Sequence, residues 1–338
     1  MLPSLTIAVA LRDRGVSVTF AGSPDRVEAE LVPAAGFEFD RFSISGFPRR
    51  PGLPLARSLL RAGGAPVACA RILARRRPDV VLGGGGFVAG PMVLAAWLQR
   101  IPAALTEADA HLGLANRLAA PFARRVFLAY AIPGRDGSKY RVTGRPVPVR
   151  AVVTRSDARA SLGLPADAPV LLVAGGSQGA RMLNEFALDT WGASGPTVLH
   201  LCGPRYADEL AARVTRDDYR IVPFVDDFGA AATAADLTLS RSGGTVWELA
   251  AAGAPAILVP SPNVTADHQT LNALHFERGG GAVLVPEPEL ARVPALVDEL
   301  LGDPARLAAM SEAMLGMARP QAADEIAEEL IALAAARR

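Results

Sequence analysis

Cysteine is almost missing from this chain. Cys69 and Cys202 are the whole complement in 338 residues. They stand far apart and at no metal-ligand or disulfide spacing, which excludes a disulfide scaffold or a cysteine metal site and fits a reducing cytoplasm. Lysine is scarcer still, with Lys139 alone. Long apolar runs are also absent. Four consecutive glycines and Pro91 break the uncharged stretch Val80 to Gln99, and Gly253, Pro255, Pro260 and Pro262 break Leu249 to Ala266, so each is expected to be strand, loop and helix rather than a membrane span. Met1 to Leu11 lacks a basic leader and a small-residue cleavage site, so no signal peptide is expected. Aromatics are not interleaved with basic residues, which argues against nucleic acid as a partner. No DxD-like acidic pair stands in a convincing place, Asp226-Asp227 being better placed to start a helix. Neither a metal nor a cofactor is expected.

Half of the residues are hydrophobic and a fifth are charged, the balance of a folded protein long enough for two domains. The net charge of +1 hides an asymmetry. Residues 1 to 145 carry twenty Lys and Arg against ten Asp and Glu, and the remainder carries fifteen against twenty-four. Only the basic first half is therefore suited to an anionic surface.

Helical and strand periodicities alternate along the chain. Helices are expected at Pro3 to Arg14, Asp25 to Ala35, Leu55 to Arg75, Pro91 to Leu98 and Leu112 to Phe122. Strands are expected at Val16 to Ala21, Phe37 to Phe42, Asp79 to Leu82, Ala103 to Thr106, Arg125 to Tyr130 and Tyr140 to Thr143. Such alternation implies a parallel, doubly wound α/β sheet. The stiff segment Gly144-Arg145-Pro146-Val147-Pro148 separates a domain 1–145 from a second alternation, 146–319, which opens with the helix Ser156 to Leu162 and the strand Val170 to Ala174. Later helices are expected at Glu287 to Leu301 and Pro304 to Met317, and a last one at Ala322 to Ala336, within 320–338. A doubly wound domain normally begins with a central strand, whereas this chain begins at the helix that should follow it, so a strand and its loop are expected to be missing.

Three glycine-bearing turns stand between a strand and a helix. In Arg241-Ser242-Gly243-Gly244-Thr245 the amides of the next helix start have no intrahelical partners and suit an anion such as a diphosphate. Glu248, one turn on, would repel phosphate and is suited to a ribose diol. The following loop, Pro262 to Gln269, offers uncharged donors and acceptors, as a sugar requires. In Gly175-Gly176-Ser177-Gln178-Gly179-Ala180-Arg181 the glycines admit close backbone approach while Ser177 and Gln178 supply neutral hydrogen bonds. A dinucleotide fingerprint does not fit, since its glycine spacing is not met. The third turn is Gly83-Gly84-Gly85-Gly86, followed by Phe87. Between strand and helix, Phe224 and Val225 of PFVDD are open to two readings, an aromatic that covers a base or a core residue beside a helix cap.

RSGGTVWELAAAG, PSPNVTADHQTLNA and GGSQGAR resemble the donor-site motifs of the MurG family of glycosyltransferases, and the resemblance covers nearly the whole chain. It implies the GT-B fold, two Rossmann-like doubly wound parallel-sheet domains facing a cleft, with a C-terminal helix crossing back onto the first. It also implies inverting, metal-independent transfer of N-acetylglucosamine from UDP-GlcNAc to lipid I, giving lipid II for peptidoglycan. The donor would be held by Ser177, Gln178, Gly179, Phe224, Val225, Ser242, Gly243, Gly244, Thr245, Glu248, His268, Gln269 and Asn272, with Gln269 and Asn272 as sugar ligands or supports behind them. Arg145 or Arg150 would neutralise the departing diphosphate. Gly84, Gly85, Gly86 and Phe87 would hold the acceptor's diphosphate. The absent piece corresponds to the family's first strand and a glycine loop ending in its candidate base, a histidine, leaving Glu107 or Asp109 as the base within this chain. Two departures affect the acceptor side: Phe87 replaces the family's tyrosine, and Thr106-Glu107-Ala108-Asp109 replaces its His-Glu-Gln-Asn. A lipid-linked acceptor, with the apolar and basic loop Phe47 to Leu55 and Arg57, Arg61, Arg71, Arg75, Arg76 and Arg77 after it, implies peripheral docking on the anionic cytoplasmic face of the cell membrane, beside cell-wall synthesis and division proteins. The alternatives are a related GT-B transferase acting on a lipid or polyketide, and an inactive sugar-nucleotide-binding scaffold.

Overall fold

The computed structural model describes residues 1–42, 53–148 and 153–337, without side chains for 53–63 and 265. The loop from Phe47, the side chains of Arg57 and Arg61, and Arg150 lie outside the described residues. The chain divides into two compact units, Met1–Val149 with Arg319–Arg338, and Arg150–Ala318.

The first unit runs α1 (Leu2–Asp13), β1 (Thr19–Gly22), α2 (Glu28–Ala34), β2 (Glu38–Arg41), α3 (Leu53–Arg76), β3 (Val81–Gly83), α4 (Gly86–Leu98), β4 (Ala103–Glu107), α5 (Leu114–Ala119), β5 (Arg125–Leu128) and β6 (Tyr140–Val142). Its strands are parallel and form two pieces, β1-β2 and β3-β4-β5-β6. Ladder bonds need neighbours about 4.8 Å apart. Among the described residues no strand joins β1 to β3, so each keeps an open edge. Apolar packing accompanies both pieces: Val18, just before β1, packs against the core that holds Ile7, Ala104 and Phe127 and against the one that holds Ala8, Val32 and Phe37. Helix α4 begins at Gly86, well before the expected Pro91, because Gly85 (φ 88°, ψ −179°) turns the chain through a conformation open essentially to glycine.

The second unit runs α6 (Arg155–Leu162), β7 (Val170–Ala174), α7 (Arg181–Trp191), β8 (Thr197–Leu201), α8 (Ala207–Ala211), β9 (Tyr219–Val222), α9 (Phe228–Ala234), β10 (Leu237–Ser240), α10 (Thr245–Ala251), β11 (Ala256–Leu258), α11 (His268–Arg278), β12 (Ala282–Leu284), α12 (Val293–Leu301) and α13 (Pro304–Met317). The expected helix from Glu287 is split into a 3-10 turn, Glu287–Arg292, and α12, whose first turn holds Pro294. Proline carries no amide hydrogen and fits a helix start rather than its interior. The sheet order is β12-β11-β10-β7-β8-β9, all parallel. Every residue of β7, β8 and β10 is buried, as the near-continuous apolar run VLLVA requires of a strand covered on both faces.

The last helix, α14 (Ala322–Ala335), belongs to the first unit. Ala323, Ile326, Ala327 and Leu330 share a core with Ile7 and Leu11 of α1 and with Phe127. Ion pairs Arg14–Asp324 at 2.8 Å and Arg125–Glu329 at 3.2 Å flank this seam. The apolar face directs the helix to α1, and the exposed pairs add little.

Candidate functional site

In the second unit the C-terminal ends of all the strands emerge on one side, and the winding reverses between β7 and β10. Ligands of open α/β sheets bind in the crevice outside such a reversal. The two strand ends are level, Ala174 facing Ser240, and the Ser240 hydroxyl donates to Ala174 O at 2.8 Å. The loops that leave them are Gly175 to Gly179 and Arg241 to Gly244. Two motifs far apart in sequence therefore open side by side.

In the first of these loops Gly176 (φ 89°) and Gly179 (φ 72°) hold left-handed backbone, and Ser177 and Gln178 are exposed. Gly179 has a second reason to be glycine. A Cβ there would stand 1.9 Å from Cys202 O. The loop thus lies directly on the turn after β8, and α7 starts at Arg181 without a side-chain cap.

The second loop is braced from below. Ser242 is fully buried with no hydrogen-bond partner for its hydroxyl among the described residues. Asn272 is also fully buried and donates to Ser242 O at 3.1 Å. Of its two expected roles, burial removes that of sugar ligand and leaves that of a support behind the turn. Gln269 accepts from Ser261 N at 2.8 Å, and its amide nitrogen lies 4.0 Å from where a Gly243 Cβ would stand. Arg241, a cation that sequence reasoning left without a role, donates to Pro260 O at 3.0 Å and pairs with Glu287 at 2.7 Å. It fixes the β11 loop to the turn. Thr245 begins α10 and Glu248 is half-buried one turn on. Trp247, buried behind them, stacks on His275 at 6.0 Å. The sugar-side loop ends in two consecutive left-handed non-glycine residues, Ala266 (φ 55°) and Asp267 (φ 49°), immediately before His268. Such strain persists only where surrounding structure imposes it.

The open question about Phe224 has an answer. It is 54% exposed, so it is not a core residue, and the helix cap beside it is Asp227, which accepts from Ala230 N at 2.9 Å. Phe224 and Val225 follow β9, on the same side of the sheet as the two glycine loops.

In the first unit Gly84, Gly85 and Gly86 follow β3, and Gly85 and Gly86 are both left-handed. The α4 N-terminus has no capping side chain, so its first amides are available. Phe87 lies under the Arg26 guanidinium, 5.4 Å from the ring centre. Glu107 has a different task from the base expected of it. It is buried, and its oxygens accept from Ala108 N (3.0 Å), Gly113 N (2.9 Å) and Asn116 Nδ2 (2.9 Å). With Asp109 N also at 3.4 Å, these bonds staple the carboxylate into its own loop. Asn116, which sequence reasoning missed, also donates to Thr106 O at 2.9 Å. Only its place on α5 across from β4 marks it, and sequence does not show that. Asp109 is half-exposed at the mouth of the same loop. Arg145 belongs to this unit, with Nη1 3.5 Å from Ala108 O, in the wall of a cavity of about 70 Å³ with Ser4, Gly84, Thr106 and Glu107. Among the described residues no group of three His, Cys, Asp or Glu side chains is placed to hold a metal ion.

Both units carry one kinship. The C-terminal domain of glycosyltransferase family 28 matches residues 170–326 and its N-terminal domain matches residues 1–128. With the two parallel-sheet units, this makes the chain a glycosyltransferase of the GT-B fold. The chain is 36% identical to the UDP-N-acetylglucosamine--N-acetylmuramyl-(pentapeptide) pyrophosphoryl-undecaprenol N-acetylglucosamine transferase of Halothermothrix orenii, over 95% of this chain and 92% of that one. It is 41% identical to the transferase of the same name from Halorhodospira halophila, over 96% and 92%. The crystal structure of Acinetobacter baumannii MurG superposes with a TM-score of 0.78 at 27% identity, covering 98% of this chain and 95% of that one. The chain belongs to the MurG family.

Proposed function

We propose that the chain transfers N-acetylglucosamine from UDP-GlcNAc to the 4-hydroxyl of the muramoyl sugar in lipid I, forming lipid II with release of UDP. The observation that carries this is the meeting of the Gly175–Gly179 and Arg241–Gly244 loops at the sheet reversal, in a chain of this family. Free amides at Gly243, Gly244 and Thr245 take the diphosphate and stabilise the charge that grows on it as the glycosidic bond breaks. One such preorganised donor contributes on the order of 3 kcal/mol to a transition state. Helix α10 is short, so the amides count for more than the dipole. Glu248 accepts from the ribose diol, exposed Phe224 covers the uracil while the Val225 backbone reads its edge, and Ser177, Gln178, His268 and Gln269 meet diphosphate and sugar. Displacement inverts the anomeric centre, and the attacking hydroxyl's proton passes to a base. Within this chain the Asp109 carboxylate is the group suited to it. The amides of Gly84 to Phe87 take the acceptor's diphosphate.

Apolar side chains support docking at a membrane surface. Trp97, Leu98, Leu114 and Leu118 on α4 and α5 are each more than half exposed, with Arg100, Arg117 and Arg124 exposed beside them in sequence. Insertion of such a patch into anionic lipid, aided by about 1 kcal/mol per nearby arginine, anchors a protein from one side. No helix of the described residues is long and apolar enough to cross a membrane. The basic surface is turned to the cytoplasmic leaflet in this proposal, with the cell-wall synthesis and division machinery as neighbours.

The test is UDP release from UDP-GlcNAc with a soluble lipid I analogue, with the disaccharide product identified by mass. Glu248→Gln should raise the KM for UDP-GlcNAc with the acceptor KM unchanged. Turnover with a diacylglycerol or polyketide acceptor and none with the lipid I analogue would favour the related-transferase alternative. UDP-GlcNAc binding without turnover on any acceptor would favour the scaffold.

A further inference from the structure

Behind the Gly175–Gly179 and Pro223–Val225 loops lies a chain of buried polar groups that no step above uses. His200 on β8 is fully buried, Asn184 on α7 is 1% exposed and Tyr219 at the start of β9 is 3% exposed. His200 Nδ1 lies 2.9 Å from the Tyr219 hydroxyl and Nε2 lies 3.1 Å from Asn184 Oδ1. Asn184 Nδ2 donates to Cys202 O at 2.8 Å. A carbonyl oxygen only accepts, so the Asn184 amide can face one way. Its Oδ1 therefore points to the imidazole, Nε2 must carry the proton, and Nδ1 must accept from the Tyr219 hydroxyl. Every donor in the chain has one acceptor, and the direction is set from Tyr219 to Cys202. Burial pushes the imidazole down to about 4, so the neutral ring this pattern requires is the form present at neutral pH.

The chain ends where both loops rest. Cys202 O is the atom a Gly179 Cβ would strike, and a Gly203 Cβ would come within 2.6 Å of Gln178. On the other side Gly203 N donates to Pro223 O at 3.1 Å, one residue before Phe224. The Cys202-Gly203 turn is thus a shared floor under the phosphate loop and the base loop, and Asn184 and His200 hold it.

We propose that Tyr219, His200 and Asn184 are positioning residues that set the spacing of the Gly175–Gly179 and Pro223–Val225 loops, and so the affinity for the uridine diphosphate part of the donor. They touch no ligand. The inference rests on the donor site described under the proposed function.

The test is calorimetric titration of UDP into wild type, Asn184→Asp, His200→Leu, His200→Gln and Tyr219→Phe, with KM for donor and acceptor measured separately. Asn184→Asp cannot donate to Cys202 O, and His200→Leu cannot donate to Asn184, so each should raise the UDP Kd about tenfold or more. His200→Gln keeps a donor toward Asn184 and should recover most of that loss, and Tyr219→Phe should cost about two- to fivefold. The acceptor KM should stay within about twofold, because the chain reaches only the second unit's loops. Should Asn184→Asp or His200→Leu not fold, Tyr219→Phe decides the matter by the same Kd, its wild-type affinity overturning the inference. Wild-type UDP affinity in the folded variants, or donor and acceptor KM rising together, would overturn the inference while leaving the donor site standing. No UDP binding by the wild type would overturn both.

Discussion

Gly176 and Gly179 allow a comparison in which backbone strain is held nearly constant and space is varied. Both are left-handed, at φ 89° and φ 72°. Alanine at either costs about 1–2 kcal/mol for that conformation, less roughly 0.4–1 kcal/mol returned by a stiffer unfolded chain. At Gly176 a Cβ meets nothing within 4 Å, so Gly176→Ala should lose no more than about 1.6 kcal/mol. At Gly179 the Cβ would stand 1.9 Å from Cys202 O and 2.8 Å from its carbon, both rigid backbone. The loop must then retreat by about 1 Å or more, adding roughly 1–3 kcal/mol of overpacking. Gly179→Ala should therefore cost about 1–5 kcal/mol in urea unfolding, roughly 1–3 kcal/mol more than Gly176→Ala, and the retreat should raise the UDP Kd by tenfold or more, since about 1 Å of misplacement is costly in a preorganised site. Urea unfolding and calorimetric UDP titration of the two variants side by side are the assay. Equal losses in the two, or a Gly179→Ala protein with wild-type UDP affinity, would refute the packing of the loop on the Cys202 turn.

Other outcomes follow from single contacts. His200 is held near 4 against an ordinary 6.5, so the unfolded chain binds its proton first on acidification. The stability due to the neutral ring is complete above pH 6.5 and is lost as pH falls toward 4, about 3 kcal/mol in all. His200→Gln should flatten that slope in urea unfolding measured against pH. Glu107→Gln should destabilise the first unit by about 1–3 kcal/mol, because an amide cannot accept all the N–H groups that converge on the carboxylate, whereas Asp109→Asn should lower kcat; kcat lost in Glu107→Gln and kept in Asp109→Asn would return Glu107 to the role of base. Ala266→Gly should relieve left-handed strain, raising stability by up to about 1 kcal/mol while loosening the loop before His268 and raising the donor KM. Trp97→Glu with Leu118→Glu should cut sedimentation with phosphatidylglycerol vesicles at least about tenfold and leave turnover of a soluble acceptor unaltered.

Much of the donor side was legible along the chain. A strand, a glycine turn and a helix in succession impose their own geometry, because left-handed backbone and uncapped amides are local properties of residue type. Ser177, Gln178, Glu248 and Gln269 were singled out as candidates that way, and α14 was expected from its apolar stripe, which needs a partner face. The bonds that hold Glu107 were not legible for the complementary reason. Its type and motif suit a base, but Gly113 N and Asn116 reach it through a loop closure and a helix placement that spacing does not reveal. Phe224 was undecidable because exposure is not a sequence property, and the Trp97 to Leu118 surface was overlooked because α4 and α5 look like ordinary core helices one at a time.

Residue type and spacing determined the α/β class, the two alternations, the three glycine turns and the kinds of chemical group each turn presents. Sheet order decided which turns share a crevice: the path runs β7, β8, β9 and only then back to β10, so loops separated by two strands in the chain became neighbours. Packing decided the rest. The turn at Cys202-Gly203 supports the Gly175–Gly179 and Pro223–Val225 loops only because α7, β8 and β9 bring Asn184, His200 and Tyr219 into one line. Local backbone preference acts between residues adjacent in sequence, whereas burial, hydrogen-bond saturation and close contact depend on which segments the completed core forces together.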